Sequence, residues 1–170
     1  VIELGKIYFP KLKRVSEKSE ISKIIGESYF HIHNYKQAVL YLSNYKGKYG
    51  RFTGSDHYFL GYAHSQLEEY SAAIKKFNQI IDEKSAISQN AHYHLGHCYL
   101  KLNQKAQALN AFKNASEMSF DSEIQKDAFL NYAKLSYDIG NPYKSSSDVL
   151  QDFVDAYPDA SETNFVESLI

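Results

Sequence analysis

Three glycines, Gly26, Gly61 and Gly96, stand 35 residues apart, and the residues around them repeat with them. The segments IIGESYFHIHNYKQAVLYLSNYK from Ile24, FLGYAHSQLEEYSAAIKKFNQII from Phe59 and HLGHCYLKLNQKAQALNAFKNAS from His94 align without a gap. Ala38, Ala73 and Ala108 then share one column, and Leu42, Phe77 and Phe112 another. Self-similarity at a fixed period of about 20–50 residues marks a stacked-repeat architecture. Each unit buries its apolar face only by packing on its neighbours.

Each copy has two halves of helical periodicity joined by a short turn, at HNY, EEY and NQK. The aligned glycines let the first helix approach the second, and the aligned alanines answer from the other side. Larger apolar residues, among them Ile25, Leu60 and Leu95, fill what remains. With only 3 Pro and 8 Gly, a turn-rich β fold is not expected.

The order Leu95-Gly96, Tyr99, Ala108, Phe112 and Ala115 resembles the tetratricopeptide repeat (TPR). The family's period is about 34 residues, so each unit here carries one more. Ser22, His57 and His92 stand where that family often opens its first helix with an aromatic. The resemblance implies an all-α fold, a right-handed α-solenoid of antiparallel helix pairs. About four repeats are expected, with partial units at both ends.

A fourth copy, from Ala128, has Ala133 in the glycine's place and Leu150 and Phe153 on its second helix. Gly140 is expected to close the first helix and Pro142 to open the second. The ending F-x-x-x-Y-P-D-A-S, from Phe153, is similar to TPR proteins of the bacterial cell envelope. That resemblance favours a bacterial source and leaves the compartment open. SETNFVESLI at 161–170 reads as a Ser-capped opening helix of a truncated unit. VIELGKIYF reads as the last helix of a preceding unit stopped by Pro10, and KLKRVSEKSE as a link. The expected division is 1–18, partial unit or linker; 19–53, 54–88, 89–122 and 123–158, four repeats; and 159–170, a truncated first helix. Both ends then look like cuts through a longer array.

His92, His94, His97 and Cys98 crowd into seven positions. On a helix His94 shares a face with His97 and Cys98, while His92 lies about 140–200° away from the other histidines. A zinc site needs three or four ligands, and no second cluster completes this one. The repeat register offers packing instead, since Cys98 aligns with Ser28 and Ala63, and His94 with Phe59 and Ile24. No metal and no cofactor are expected. The nucleotide-binding and nucleophile-elbow motifs are absent, and Gly47, Gly50 and Gly54 read as an inter-repeat loop. No catalytic residue, and so no enzyme, is expected.

A net charge of -1 argues against nucleic acid, and no apolar run is long enough for membrane insertion. In TPR stacks the first helices line the concave side, and the resemblance carries groove positions onto named residues. These are Lys23, Glu27, Phe30 and His31; Tyr58, Tyr62, Ser65 and Gln66; Tyr93, His97, Leu100 and Lys101; and Leu130, Lys134, Tyr137 and Asp138. A groove rich in Tyr suits a protein or peptide partner. His97 would be a pH-sensitive contact there. Glu27 stands where a carboxylate-clamping TPR domain has Asn, so a chaperone-tail receptor is not expected. The function expected is a non-catalytic scaffold for protein partners. Its alternatives are self-association through the terminal helices and a regulatory module joined to an enzyme domain elsewhere.

Overall fold

The structure, a computed structural model, describes residues 1–170. It holds ten α-helices and no strand beyond an isolated Lys48↔Arg51 bridge. They are α1 Ile2–Tyr8, α2 Val15–His31, α3 Tyr35–Leu42, α4 Gly54–Gln66, α5 Tyr70–Phe77, α6 Ala86–Lys101, α7 Lys105–Ser116, α8 Ser122–Ile139, α9 Ser146–Ala156 and α10 Thr163–Glu167. The chain forms two compact units, Val1–Ile80 and Ile81–Ile170. The first holds the pairs α2–α3 and α4–α5, the second α6–α7 and α8–α9.

Helix starts follow local chemistry. The Thr53 hydroxyl accepts from the Asp56 N–H at 3.3 Å, and the Asp56 carboxylate accepts from the Thr53 N–H at 2.8 Å, a reciprocal box that opens α4. Asn34, Ser85, Asp121 and Ser145 cap α3, α6, α8 and α9 in the simpler way, each through its side-chain oxygen. First helices end in a common corner. His33, Glu68 and Asn103, again 35 apart, take left-handed φ of 59°, 61° and 56°. The next residue's N–H reaches back to Tyr29, His64 and Tyr99 O at 2.9, 2.9 and 2.8 Å.

Packing within each pair centres on the repeated glycine. A methyl group on Gly96 would lie 2.6 Å from the Phe112 ring, and one on Gly61 2.8 Å from the Phe77 ring. On Gly26 it would meet Leu42 at 2.6 Å. Phe77 and Phe112 are wholly buried and Leu42 nearly so, so these contacts sit in the core. In the first unit Ile25, Tyr29, Ala38, Leu42, Leu60 and Ala63 form one cluster. In the second, Ala108, Phe112, Ala133, Leu150, Phe153 and Val166 belong to another.

Two buried side chains tie down inter-repeat loops from the same register position, seven residues before the glycine. Ser19 Oγ accepts from the Lys46 N–H at 2.9 Å. Gln89, with no exposed surface, shares its two Nε2 hydrogens among the carbonyls of Ala115, Met118 and Asp121 at 3.3, 2.7 and 3.1 Å. Its Oε1 accepts from the Asp121 N–H at 2.8 Å, which fixes the turn between α7 and α8. One amide thus supplies hydrogen-bond partners to backbone groups on both sides of this turn.

Three local expectations change. α2 begins at Val15, so VSEKSE is helical and the link shrinks to the residues around Pro10, which sits in a 3-10 turn, Phe9–Lys11. Pro142 does not open α9. Asn141 is held by Tyr132 Oη and Ser136 Oγ at 2.7 and 2.8 Å, and the chain runs on to a Ser145 cap. Ser161 does not cap α10, whose N-cap is Glu162. There the buried Thr163 hydroxyl donates to the Tyr157 carbonyl at 2.6 Å.

Gly96→Ala pushes a methyl into a ring with no free volume behind it. It is expected to lower unfolding stability by about 1–3 kcal/mol, read from urea denaturation. Phe112→Leu in the same chain should recover part of that loss, since it removes the atoms the methyl meets.

Candidate functional site

In the first unit the expected residues Phe30, Tyr58 and Tyr62 are half-buried on α2 and α4 and join a larger aromatic assembly. Phe30 packs edge-on against Phe59 at 4.8 Å and Tyr62 at 5.4 Å. Tyr35, at the start of α3, lies 5.9 Å from Tyr62, and Tyr58 lies 6.1 Å from it. Burial, and after it the neighbouring Tyr62, push the Tyr58 phenol up to about 12. Tyr35 is raised for the same two reasons. Both stay protonated at neutral pH and can donate hydrogen bonds. His31 and Gln66 are exposed beside this assembly, whereas the Ser65 hydroxyl turns back to the Tyr62 carbonyl at 2.7 Å.

Lys23 is drawn elsewhere. Its Nζ lies 2.6 Å from Asp56 Oδ1, 3.7 Å from Glu27 Oε1 and 5.0 Å from the centre of the Tyr45 ring. The Asp56 contact is ionic rather than directional, since Oδ1 has no hydrogen bond of good geometry. Asp56 is 3% exposed. Burial alone would raise its carboxyl, but Lys23 and the Thr53 N–H and O–H outweigh burial and hold it below the usual range. Lys23 therefore ties α2 to the start of α4 and leaves the candidate set, and Glu27 keeps its partial exposure beside it.

The second unit uses a related tie. The Tyr93 hydroxyl donates to the Asp127 carboxylate on α8, and burial followed by that carboxylate raises the phenol. The Tyr93 ring meets His97 edge-on at 4.6 Å, and His97 rests on Phe112 at 5.1 Å. Burial first, and Lys101 after it, lower the His97 imidazole against the pull of Asp127, so it is neutral at neutral pH. Leu100 packs on the core cluster, while Lys101 and Tyr137 are exposed. Lys134 Nζ stands 5.4 Å over the Phe165 ring. Two expected groove residues turn inward or sideways. Leu130 is 7% exposed in the cluster that includes Val166 of α10, and Asp138 pairs with Lys105 at 2.6 Å.

The clustered histidines belong to packing. His94 is driven down to about 4 by burial and then by its neighbour His97, and burial lowers His92 as well. Burial pushes the Cys98 thiol up to about 11. No group of three or more His, Cys, Asp or Glu side chains is placed to hold a metal ion. No helix is long and apolar enough to cross a membrane. α1 presents Leu4, Ile7 and Tyr8 to solvent, with Val1 exposed just before it.

Asp56, Asp127, Tyr35 and Phe59 were not among the expected site residues. The signal for the two carboxylates is a spacing of 33 or 34 from Lys23 and Tyr93, one or two short of the repeat.

A family model described as anaphase-promoting complex, cyclosome, subunit 3 matches residues 31–115, half of the chain. The chain belongs to that family. It is a TPR protein, and the solved structures it resembles carry the same helix pairs. A TPR protein from Parabacteroides merdae shares 18% identity at a TM-score of 0.68, over 98% of this chain and 64% of that one. MamA from Desulfovibrio magneticus shares 18% at 0.64, over 91% and 86%. YrrB, titled a TPR protein with an unusual peptide-binding site, shares 17% at 0.64, over 98% and 90%. At these identities the likeness is one of fold, an all-α TPR solenoid. No curated protein matches the chain.

Two outcomes follow for this TPR chain. Asp56→Asn is expected to cost about 2 kcal/mol at neutral pH, because it removes the charge that Lys23 faces. The Asp56 carboxyl is depressed in the fold, so its contribution is present above its ordinary value of about 3.8 and lost as pH falls through the folded value. Wild type and variant should therefore converge in acid denaturation. His94 acts in the same direction, at higher pH. The unfolded chain binds its proton near 6.5 and the folded chain only near 4, so stability falls as pH drops across that window. His94→Phe should flatten most of that slope in urea midpoints measured against pH, with His92 and His97 supplying the remainder.

Proposed function

We propose that this chain is a non-catalytic scaffold whose first-helix face takes up an extended peptide or a helix of a protein partner. One observation carries the reading. Phe30, Tyr58 and Tyr62 are held against one another on α2 and α4, Phe30 edge-on to Tyr62 and Tyr58 tilted against it, and each ring is half-buried. Rings locked by packing lose little further rotamer freedom when a ligand arrives. The Tyr58 and Tyr62 phenols give two of these rings a polar edge that can select an orientation, and aromatic anchors of this kind dominate the energetics of many interfaces. The peptide-binding site named for YrrB supports the same use of the fold in a relative.

The repeats divide the labour between helices. Second helices carry Phe77, Phe112 and Phe153, which are fully buried. First helices carry the partly exposed Phe30, Tyr58 and Tyr62, with Tyr35 joining them from the start of α3. We assign partner contact in the second unit to His97, Lys101, Lys134 and Tyr137. Their side chains remain at least partly accessible there.

The test is peptide selection from a displayed library, followed by fluorescence polarisation with the selected sequence. Phe30→Ala/Tyr62→Ala is expected to weaken binding by about tenfold or more, with the helical circular dichroism unchanged. Equal affinity of a folded double variant would sink the reading.

A further inference from the structure

The segment between α3 and α4, Lys46 to Thr53, is a closed hairpin rather than a slack loop. Gly47, Tyr49 and Gly50 take positive φ of 78°, 54° and 77°, and Lys48 bridges to Arg51. A methyl on Gly47 would lie 2.4 Å from the Arg51 backbone, so the two arms are in contact. Both ends are anchored. The Lys46 N–H is held by Ser19 Oγ at 2.9 Å, and the buried Tyr45 ring stacks on Phe52 at 5.5 Å and 18°. Thr53 is locked into its box with Asp56.

The tip carries an unusual group of side chains. Tyr49 is 93% exposed in a left-handed conformation that costs a non-glycine residue about 1 kcal/mol. Lys48 Nζ lies 5.8 Å from its ring. Lys46, Lys48 and Arg51 are exposed and take part in no ion pair. The nearest carboxylate along the chain, Asp56, is already engaged by Lys23. Three unpaired cations around one protruding aromatic, on a rigid support, form a surface organised before any ligand arrives.

Charge selects the ligand. Exposed Glu20 lies on α2 next to Ser19, the anchor of the hairpin, while Glu17 is taken up by Arg14 at 3.7 Å. A broad anionic sheet, such as a lipid surface or a nucleic-acid duplex, would meet the Glu20 carboxylate together with the cations. A short chain with a few carboxylates can engage the tip alone. We propose that the 46–51 hairpin docks an acidic segment of a protein partner. Its carboxylates pair with Lys46, Lys48 and Arg51, and an apolar side chain lies against Tyr49. This surface is separate from the aromatic first-helix face and works without it.

The experiment is fluorescence polarisation of a labelled Glu/Asp-rich peptide carrying one Phe, titrated with the 170-residue chain. Binding should weaken as salt is added. Lys48→Glu/Arg51→Glu should cost about tenfold in affinity. Tyr49→Gly, which relieves the left-handed backbone and so preserves the fold, should cost about threefold at an unchanged or raised melting temperature. Phe30→Ala/Tyr62→Ala should bind this peptide as the wild type does, which separates the two surfaces. The proposal is overturned if the hairpin variants bind the peptide as tightly as wild type. It is equally overturned if phosphatidylserine vesicles or a single-stranded oligonucleotide bind through the hairpin and the peptide does not.

Discussion

The closeness of two helices at a single glycine is the constraint from which the rest of this structure follows. Where Gly96 lies against Phe112 and Gly61 against Phe77, the second helix drops its largest side chain into the space a methyl would need. A ring seated there is wholly buried and makes dozens of small dispersion contacts. Its position settles which way the first helix is turned. Residues one after and three before the glycine are then left at the margin of the core, partly covered and partly available. The candidate partner surface is the by-product of how the pair closes.

Polar groups do the remaining work of connection, and they do it across repeats. Lys23 with Asp56 and Tyr93 with Asp127 each join a first helix to the next first helix of the same unit. Ser19 and Gln89 bind loop backbone from one shared register position. Such contacts are expensive to leave incomplete and modest in net benefit when complete. Their value lies in geometry: each fixes one repeat against the next within its own unit.

This division explains what the sequence made legible. The glycine, alanine and large apolar columns recur at one period because the same steric problem recurs, and so the helix pairs could be read from Gly26 to Phe112 directly. The cross-ties recur in position and not in chemistry. An ammonium with a carboxylate in one unit and a phenol with a carboxylate in the other share no pattern at a spacing of 35. Register places Lys23 and Leu130 in the groove, yet one is claimed by a carboxylate in the first turn of the next first helix and the other by the apolar cluster that holds Val166. Similarly, KGKYGRFT reads as flexible because glycine permits flexibility. Only the bridge, the stacked rings and the anchored ends reveal that these glycines serve a fixed hairpin.

The corner that closes α2, α4 and α6 has a further meaning. An imidazole, a carboxylate and an amide, on His33, Glu68 and Asn103, occupy one left-handed backbone position at 59°, 61° and 56°. Asparagine and histidine accept that conformation more readily than most residues, whereas glutamate holds it against its preference. The bend is therefore imposed by the docking of the two helices and is not selected by the residue that makes it. A solenoid built this way carries its instructions in its interfaces, and its corners are open to whatever side chain solvent-facing chemistry requires.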